Sequence, residues 1–262
     1  MTYKTLIYDV AQSIATITLN RPDDANALDA RMASELHDVA IRAANDESVR
    51  AVIVTATGRM FCAGGDLKEM RAAGEGRPAH VMRMASDLHG ALARFAHMDA
   101  PVIMAVNGTA AGGGFSLVLS GDYILASDKA KFVSAYSASG LTPDGSSSYF
   151  LAKHVGLLRA KELLLTNRVL TADEACQWGM VSRVVPAADL AAEARKLAET
   201  FAAGPTKAYG GIKQLLHTAY SETFETQLDR ETRSISGMMR THDGPHGLDS
   251  FLDKRAPSFK GH

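Results

Sequence analysis

Four short runs of β-branched and other apolar residues, at 15–19, 51–55, 102–106 and 123–126, contain no polar residue beyond threonine and tyrosine. Runs of that length and make-up read as strands. Between the first two the period lengthens. Ala33, Leu36, Val39, Ala40 and Ala43 recur at helical spacing, which predicts a helix over 30–44 with Asp29 as its N-cap. Strand, helix and strand in succession imply an α/β class with a mostly parallel core. Residues 72–78 mix glycine, charge and alanine and read as a mobile loop ahead of a helix over 79–97. From 188 the character shifts: helical patterns cover 188–203, 206–220 and 222–240 with no strand pattern among them. The chain therefore divides into a core over 1–187 and a helical C-terminal region over 188–262. The 222–240 pattern carries both charge and apolar residues, which fits packing against the core or a second subunit.

Length and charge narrow the function classes. The 262 residues suffice for one large α/β domain, or a core with a small appendage. Lys and Arg total 28 against 29 Asp and Glu, a net charge of −1, so no global field draws the chain to nucleic acid or to an anionic membrane. Any anion it binds must be held locally. The first ten residues lack the basic start and apolar core of a secretory signal, and no apolar run reaches the roughly 18 residues of a spanning helix. Cys62 and Cys176 make neither a disulfide framework nor a metal cluster, and no His, Cys and carboxylate set has metal-ligand spacing. A cytoplasmic, reduced protein without a metal is the simplest reading.

The chemistry starts at two glycine-rich turns, Phe61 through Leu67 and Ala110 through Phe115, about 50 residues apart and each preceded by a strand-like run. Small residues let a ligand approach the main chain closely. The second turn runs into Phe115-Ser116-Leu117-Val118-Leu119, a buried helix whose start would aim free N–H groups at an anion or a polarised oxygen. Two such turns facing one carbonyl make an oxyanion hole. Neither turn has the dinucleotide fingerprint or a Walker lysine. Cys62 reads as a small packing residue beside the first turn.

Asn20-Arg21-Pro22 with Asn26-Ala27-Leu28, the 61–67 turn, the Ala105–Gly114 stretch, Trp178–Pro186 and Phe251–Phe259 together resemble the crotonase (enoyl-CoA hydratase/isomerase) superfamily, in the right order over nearly the whole chain. The resemblance implies a ββα spiral core, a C-terminal helical trimerisation region, and homotrimers or dimers of trimers acting on acyl-CoA thioesters. Coenzyme A then enters as part of the substrate, with no other cofactor. By motif position the oxyanion donors are the N–H groups of Ala63 and Gly113. Asp24, Ala25 and Ala27, with Ala63, Gly64, Gly65, Asp66 and Leu67, would line the adenine and pantetheine. Leu88, Tyr136 and Leu141 would join the substrate wall. Lys254 and Arg255 could meet CoA phosphates, reaching over from a neighbouring subunit, or form a solvated basic end.

One departure bears on the reaction. Family hydratases add water with two glutamates, and those positions hold Ser116 and Tyr136 here. Neither is a carboxylate base at neutral pH. A different carboxylate stands at Asp144, in Pro143-Asp144-Gly145, which resembles the Pro-Asp segment of family isomerases of enoyl-CoA and ring-epoxide CoA substrates. Asp144 reads either as an N-cap of the following helix or as an acid/base facing the acyl group, desolvated by Leu141, Tyr136 and Phe150. His89, twelve positions before Pro101, matches the spacing of a histidine in 4-chlorobenzoyl-CoA dehalogenase, whose nucleophilic aspartate corresponds to Asp144. Its tryptophan position is Tyr136 here, so the match is incomplete. The expected activity is double-bond isomerisation with Ala63, Gly113, Asp144, His89 and Tyr136 as the catalytic set. Hydration, dehalogenation and a non-catalytic CoA-binding scaffold are the alternatives.

Overall fold

The computed structural model describes residues 2–262. The chain opens with an antiparallel hairpin, β1 (Leu6–Ala11) and β2 (Ile14–Leu19). It continues through α1 (Ala30–Asn45), β3 (Ala51–Ala56), β4 (Met60–Cys62), α2 (Leu67–Ala72), α3 (Arg77–His97), β5 (Val102–Val106), β6 (Thr109–Ala111) and α4 (Gly113–Leu119). β7 (Tyr123–Ser127), β8 (Lys131–Val133), α5 (Ser147–Val155), α6 (Leu157–Thr166), β9 (Leu170–Thr171), α7 (Ala172–Gln177) and β10 (Arg183–Val185) follow, and α8 (Leu190–Ala202), α9 (Thr206–Thr218), α10 (Phe224–Met238) and α11 (Asp243–Leu252) complete the chain. A six-stranded sheet, ordered β1-β2-β3-β5-β7-β10, is parallel beyond the first hairpin, and β4-β6-β8-β9 form a smaller second sheet.

All four strands and the 30–44 helix read from the sequence are present, the helix capped at Asp29, whose Oδ1 accepts the Met32 N–H at 2.6 Å. The expected loop at 72–78 is shorter, because Pro78 sits in the first turn of α3, where its missing N–H costs nothing. α1 buries Met32, Ala33, Leu36, Val39, Ala40 and Ala43, and α3 buries Met84, Leu88, Ala91, Leu92 and Phe95. Along β3, side chains alternate between two cores: Val52 and Val54 join the one beneath α1 and α3, while Ala51 and Ile53 face a second. α8 closes that second core with Leu190, Ala194, Ala198 and Ala202. The helical region after 187 is thus bound into the sheet by its first helix, and no described helix is long and apolar enough to cross a membrane.

Candidate active site

Asn26 fixes the first turn. Fully buried, it accepts the Arg21 N–H on Oδ1 and donates Nδ2 to the carbonyls of Thr57 and Met60 at 2.8 and 2.9 Å. Arg21 gathers the neighbouring segments, donating to the Ala27 carbonyl and pairing with Asp24, Asp29 and Asp66. Asp66 in turn caps α2 through the N–H groups of Lys68 and Glu69. These contacts hold 61–67 alongside 25–28: the N–H groups of Leu28 and Asp66 donate to Gly64 and Leu28.

The Ala63 N–H points into the protein and donates to the Ala25 carbonyl at 3.0 Å, so it does not serve as the expected oxyanion donor. Gly64 has φ +95°, which breaks the alternation of an extended segment and turns the next N–H the other way. Leu28 takes its bonds from Gly64 O and Asp66 N, leaving the Gly65 N–H on the opposite side. Among the described residues no acceptor takes the N–H of Gly65 or of Gly113. The two are neighbours: a Cβ on Gly113 would lie 3.8 Å from Gly65 N. The donor pair the fold presents is therefore Gly65 and Gly113.

Both glycines line a cavity of about 330 Å³ bounded by α2, α3, the start of α4 and the 135–144 segment. Its apolar wall includes Leu67, Met70, Val81, Met84 and Leu88. Leu88 and Leu141 are where the sequence put them, although Leu141 remains half exposed. Asp24, Ala25, Ala27 and Asp66 are not in the cavity wall; of these, Asp24, Ala27 and Asp66 gather around Arg21. Lys254, just past α11, is likewise outside the wall. Phe150 lines a different cavity, with Tyr149 and His217, and does not shield Asp144.

Asp144 is the one carboxylate in the wall. Its side chain does not cap α5: that N-cap is Ser146, without a side-chain bond. Instead Oδ1 lies 2.5 Å from His89 Nε2, a contact bridging 55 positions. Asp144 keeps 37% of its side-chain exposure and His89 52%, so the carboxylate meets the cavity on one side and solvent, through the imidazole, on the other. Burial raises the Tyr136 phenol above its ordinary range, which leaves it neutral, and its hydroxyl is bonded to Ser116 Oγ at 2.9 Å and to the Asp144 carbonyl at 3.2 Å. Tyr136, expected in the catalytic set and in the substrate wall, lines the cavity and contributes its hydroxyl to the framework behind Asp144. Burial also pushes the Cys62 thiol up to about 12, consistent with its reading as packing.

A family model described as enoyl-CoA hydratase/isomerase matches residues 9–262. The 1,2-epoxyphenylacetyl-CoA isomerase of Escherichia coli strain K12 is 37% identical over 260 residues, 98% of either chain. A 4-chlorobenzoyl coenzyme A dehalogenase of an Arthrobacter species is 37% identical over 224 residues, 85% of this chain and 81% of its own. The crystal structure of an enoyl-CoA hydratase from Bacillus anthracis superposes with a TM-score of 0.92 at 31% identity, covering 99% of this chain and 100% of that one.

Proposed function

This chain belongs to the enoyl-CoA hydratase/isomerase (crotonase) family and acts on CoA thioesters, and from that premise we propose that it isomerises an unsaturated acyl-CoA by moving one proton. The observation that carries the reading is the lone carboxylate: Asp144 shares the cavity wall with the two free N–H groups and with no second acid. Addition of water by a glutamate pair has no counterpart here, since Ser116 and Tyr136 occupy those positions. With the thioester oxygen held by Gly65 and Gly113 N–H, Asp144 takes a proton from the carbon next to the carbonyl. The electron pair moves into a dienolate whose charge the hole stabilises. The same carboxyl returns the proton further along the chain, so nothing is gained or lost but the position of the double bond. His89, whose Nε2 lies 2.5 Å from Oδ1, orients the carboxylate toward the cavity. No dissociable cofactor is required.

The His89–Asp144 pair also supports a second reading, aryl-CoA dehalogenation. There Asp144 attacks the halogen-bearing ring carbon, halide leaves, and His89 activates the water that hydrolyses the aryl ester. Incubating the protein with 3-hexenoyl-CoA and with 4-chlorobenzoyl-CoA separates the two. The isomerase reading expects 2-enoyl product, lost by a factor on the order of 10² or more in Asp144→Ala, and no chloride. An Asp144→Ala protein as fast as wild type would refute it, and chloride release dependent on both Asp144 and His89 would replace it with the second.

A further inference from the structure

Ser116 and Tyr136 are far apart in sequence, yet both hydroxyls converge on the main chain of Asp144. Ser116 Oγ, fully buried in α4, lies 2.6 Å from the Asp144 carbonyl oxygen and 3.3 Å from Gly112 O. A serine has one hydroxyl proton, and the shorter contact takes it. Tyr136 OH lies 2.9 Å from Ser116 Oγ and 3.2 Å from the same Asp144 carbonyl, and its one proton goes to one of these two oxygens. In either arrangement both hydroxyls bear on that carbonyl, Ser116 directly and Tyr136 directly or through Ser116. Ser147 adds its hydroxyl to the same carbonyl at 3.0 Å.

The loop these bonds hold is tied from the other side by His89, whose Nε2 meets Asp144 Oδ1 at 2.5 Å and accepts the Gly145 N–H at 3.3 Å, so the hydroxyls of Ser116 and Tyr136 fix it from the side of α4. Gly145 and Ser146 both have positive φ, +58° and +62°, so the chain turns sharply between Asp144 and α5. The loop is pressed onto the serine as well: a Cβ on Gly145 would stand 2.8 Å from Ser116 Cβ. Ser116 also lies one turn beyond Gly113 in α4, so the same helix supplies an oxyanion donor and the anchor of the base.

We propose that Ser116 and Tyr136 are positioning residues that set the Asp144 carboxylate against the oxyanion hole by clamping its main-chain carbonyl. This rests on the reading of Asp144 as the acid/base. Neither residue touches the reacting atoms in this assignment. Displacement of a base by a fraction of an ångström lowers the rate of proton transfer while leaving substrate contacts intact.

The test compares Ser116→Ala, Tyr136→Phe and the double variant with wild type and Asp144→Ala, reading kcat and KM on 3-hexenoyl-CoA and amide hydrogen exchange over residues 144–149 without substrate. Each single variant should lower kcat about tenfold, the loss expected when one buried hydrogen bond is removed. KM should stay within about twofold, and exchange should quicken in that loop. Because both hydroxyls act through one carbonyl, the double variant should fall little below the worse single. Wild-type kcat and wild-type loop exchange in both single variants overturn the clamp while leaving Asp144 in its role. An equal rise of exchange throughout the chain also overturns it, since the hydroxyls would then be serving general stability. If Asp144→Ala is as active as wild type, the functional reading fails, and loop exchange alone decides whether the clamp holds the loop.

Discussion

A methyl group on Gly64 would stand 2.9 Å from the Ala111 carbonyl oxygen and 3.2 Å from Gly113 N, one of the two N–H groups assigned to the thioester oxygen. The residue's φ of +95° adds strain to any side chain there, roughly 1–3 kcal/mol. Gly64→Ala is therefore expected to lower the melting temperature and also to cut kcat/KM on the order of 10²-fold or more, the usual cost of losing an oxyanion donor. Thermal melts and steady-state kinetics on one preparation check both, and wild-type kinetics in a folded Gly64→Ala protein would remove Gly113 from the hole. His89→Gln probes the other side. An amide N–H can still reach the Asp144 carboxylate, so isomerisation should survive within about tenfold, whereas a reaction in which His89 activates water should be abolished. At this scale the sequence disclosed residue types better than atom directions. The glycine turn was legible, but the donor lies two residues from the expected Ala63, because only the left-handed twist at Gly64 shows which N–H faces the cavity. The contact of His89 with Asp144 has no trace in local pattern either. Its one signal was the resemblance in spacing.

Asp66 shows how one element depends on another. It caps α2 and pairs with Arg21, whose guanidinium also reaches Asp24, Asp29 and the Ala27 carbonyl, so a short helix and the 24–28 turn share one charge network. Burial alone would raise the Asp66 carboxyl, but the Glu69 N–H, Arg21 and the Lys68 N–H outweigh it and hold it below its ordinary value. A depressed carboxyl stabilises the fold above its unfolded pKa, and that contribution is lost as pH falls through the folded one. Asp66→Asn keeps a capping oxygen and removes the charge. It should thus be less stable than wild type near pH 7, with the difference closing in acid; urea titrations at several pH values measure it, and a constant gap would exclude the linkage. Elements of five or more residues with clear periodicity were legible: α1, α3 and the strands at the centre of the large sheet. The hairpin strand β1 was not, since only Leu6 of its six residues is buried. Strands β4, β6, β8 and β9 have two or three residues each, too few to show a period, and exist through pairing with segments distant in sequence. α11 was hidden by Gly244, Pro245 and Gly247, which are tolerated because Asp243, buried in its first turn, accepts the N–H groups of Lys260 and Gly261 and so ties the helix to the chain's last residues.

Over the whole molecule, apolar surface is distributed unevenly. The sheet's second face is covered by α8, yet the next two helices leave Ile212, Leu216, Phe224, Leu228 and Ile235 exposed, the last at 71%. A groove between α9 and α10, lined by Ile212, Leu215, Leu228, Ile235 and Met238, continues that surface. Exposed apolar side chains gathered on one face mark an interaction site more often than an ordinary surface. We propose that this face joins copies of the chain, as the family resemblance leads one to expect. A single large charge placed there would be buried without a partner on association, so Ile235→Glu should separate the subunits while leaving each one folded. Light scattering should give about 84 kDa for the wild type, three times the 27.9 kDa chain, or twice that for paired trimers, and the mass of one chain for Ile235→Glu. A wild-type protein that stays at the mass of one chain at micromolar concentration would assign the apolar face to some other partner. The site's cavity is walled by residues of α2, α3 and the 135–144 segment, so if it is complete within one subunit, the separated Ile235→Glu protein should retain turnover. Loss of turnover on separation would instead mean that a neighbouring chain, by way of Lys254 or Arg255, completes the binding of coenzyme A.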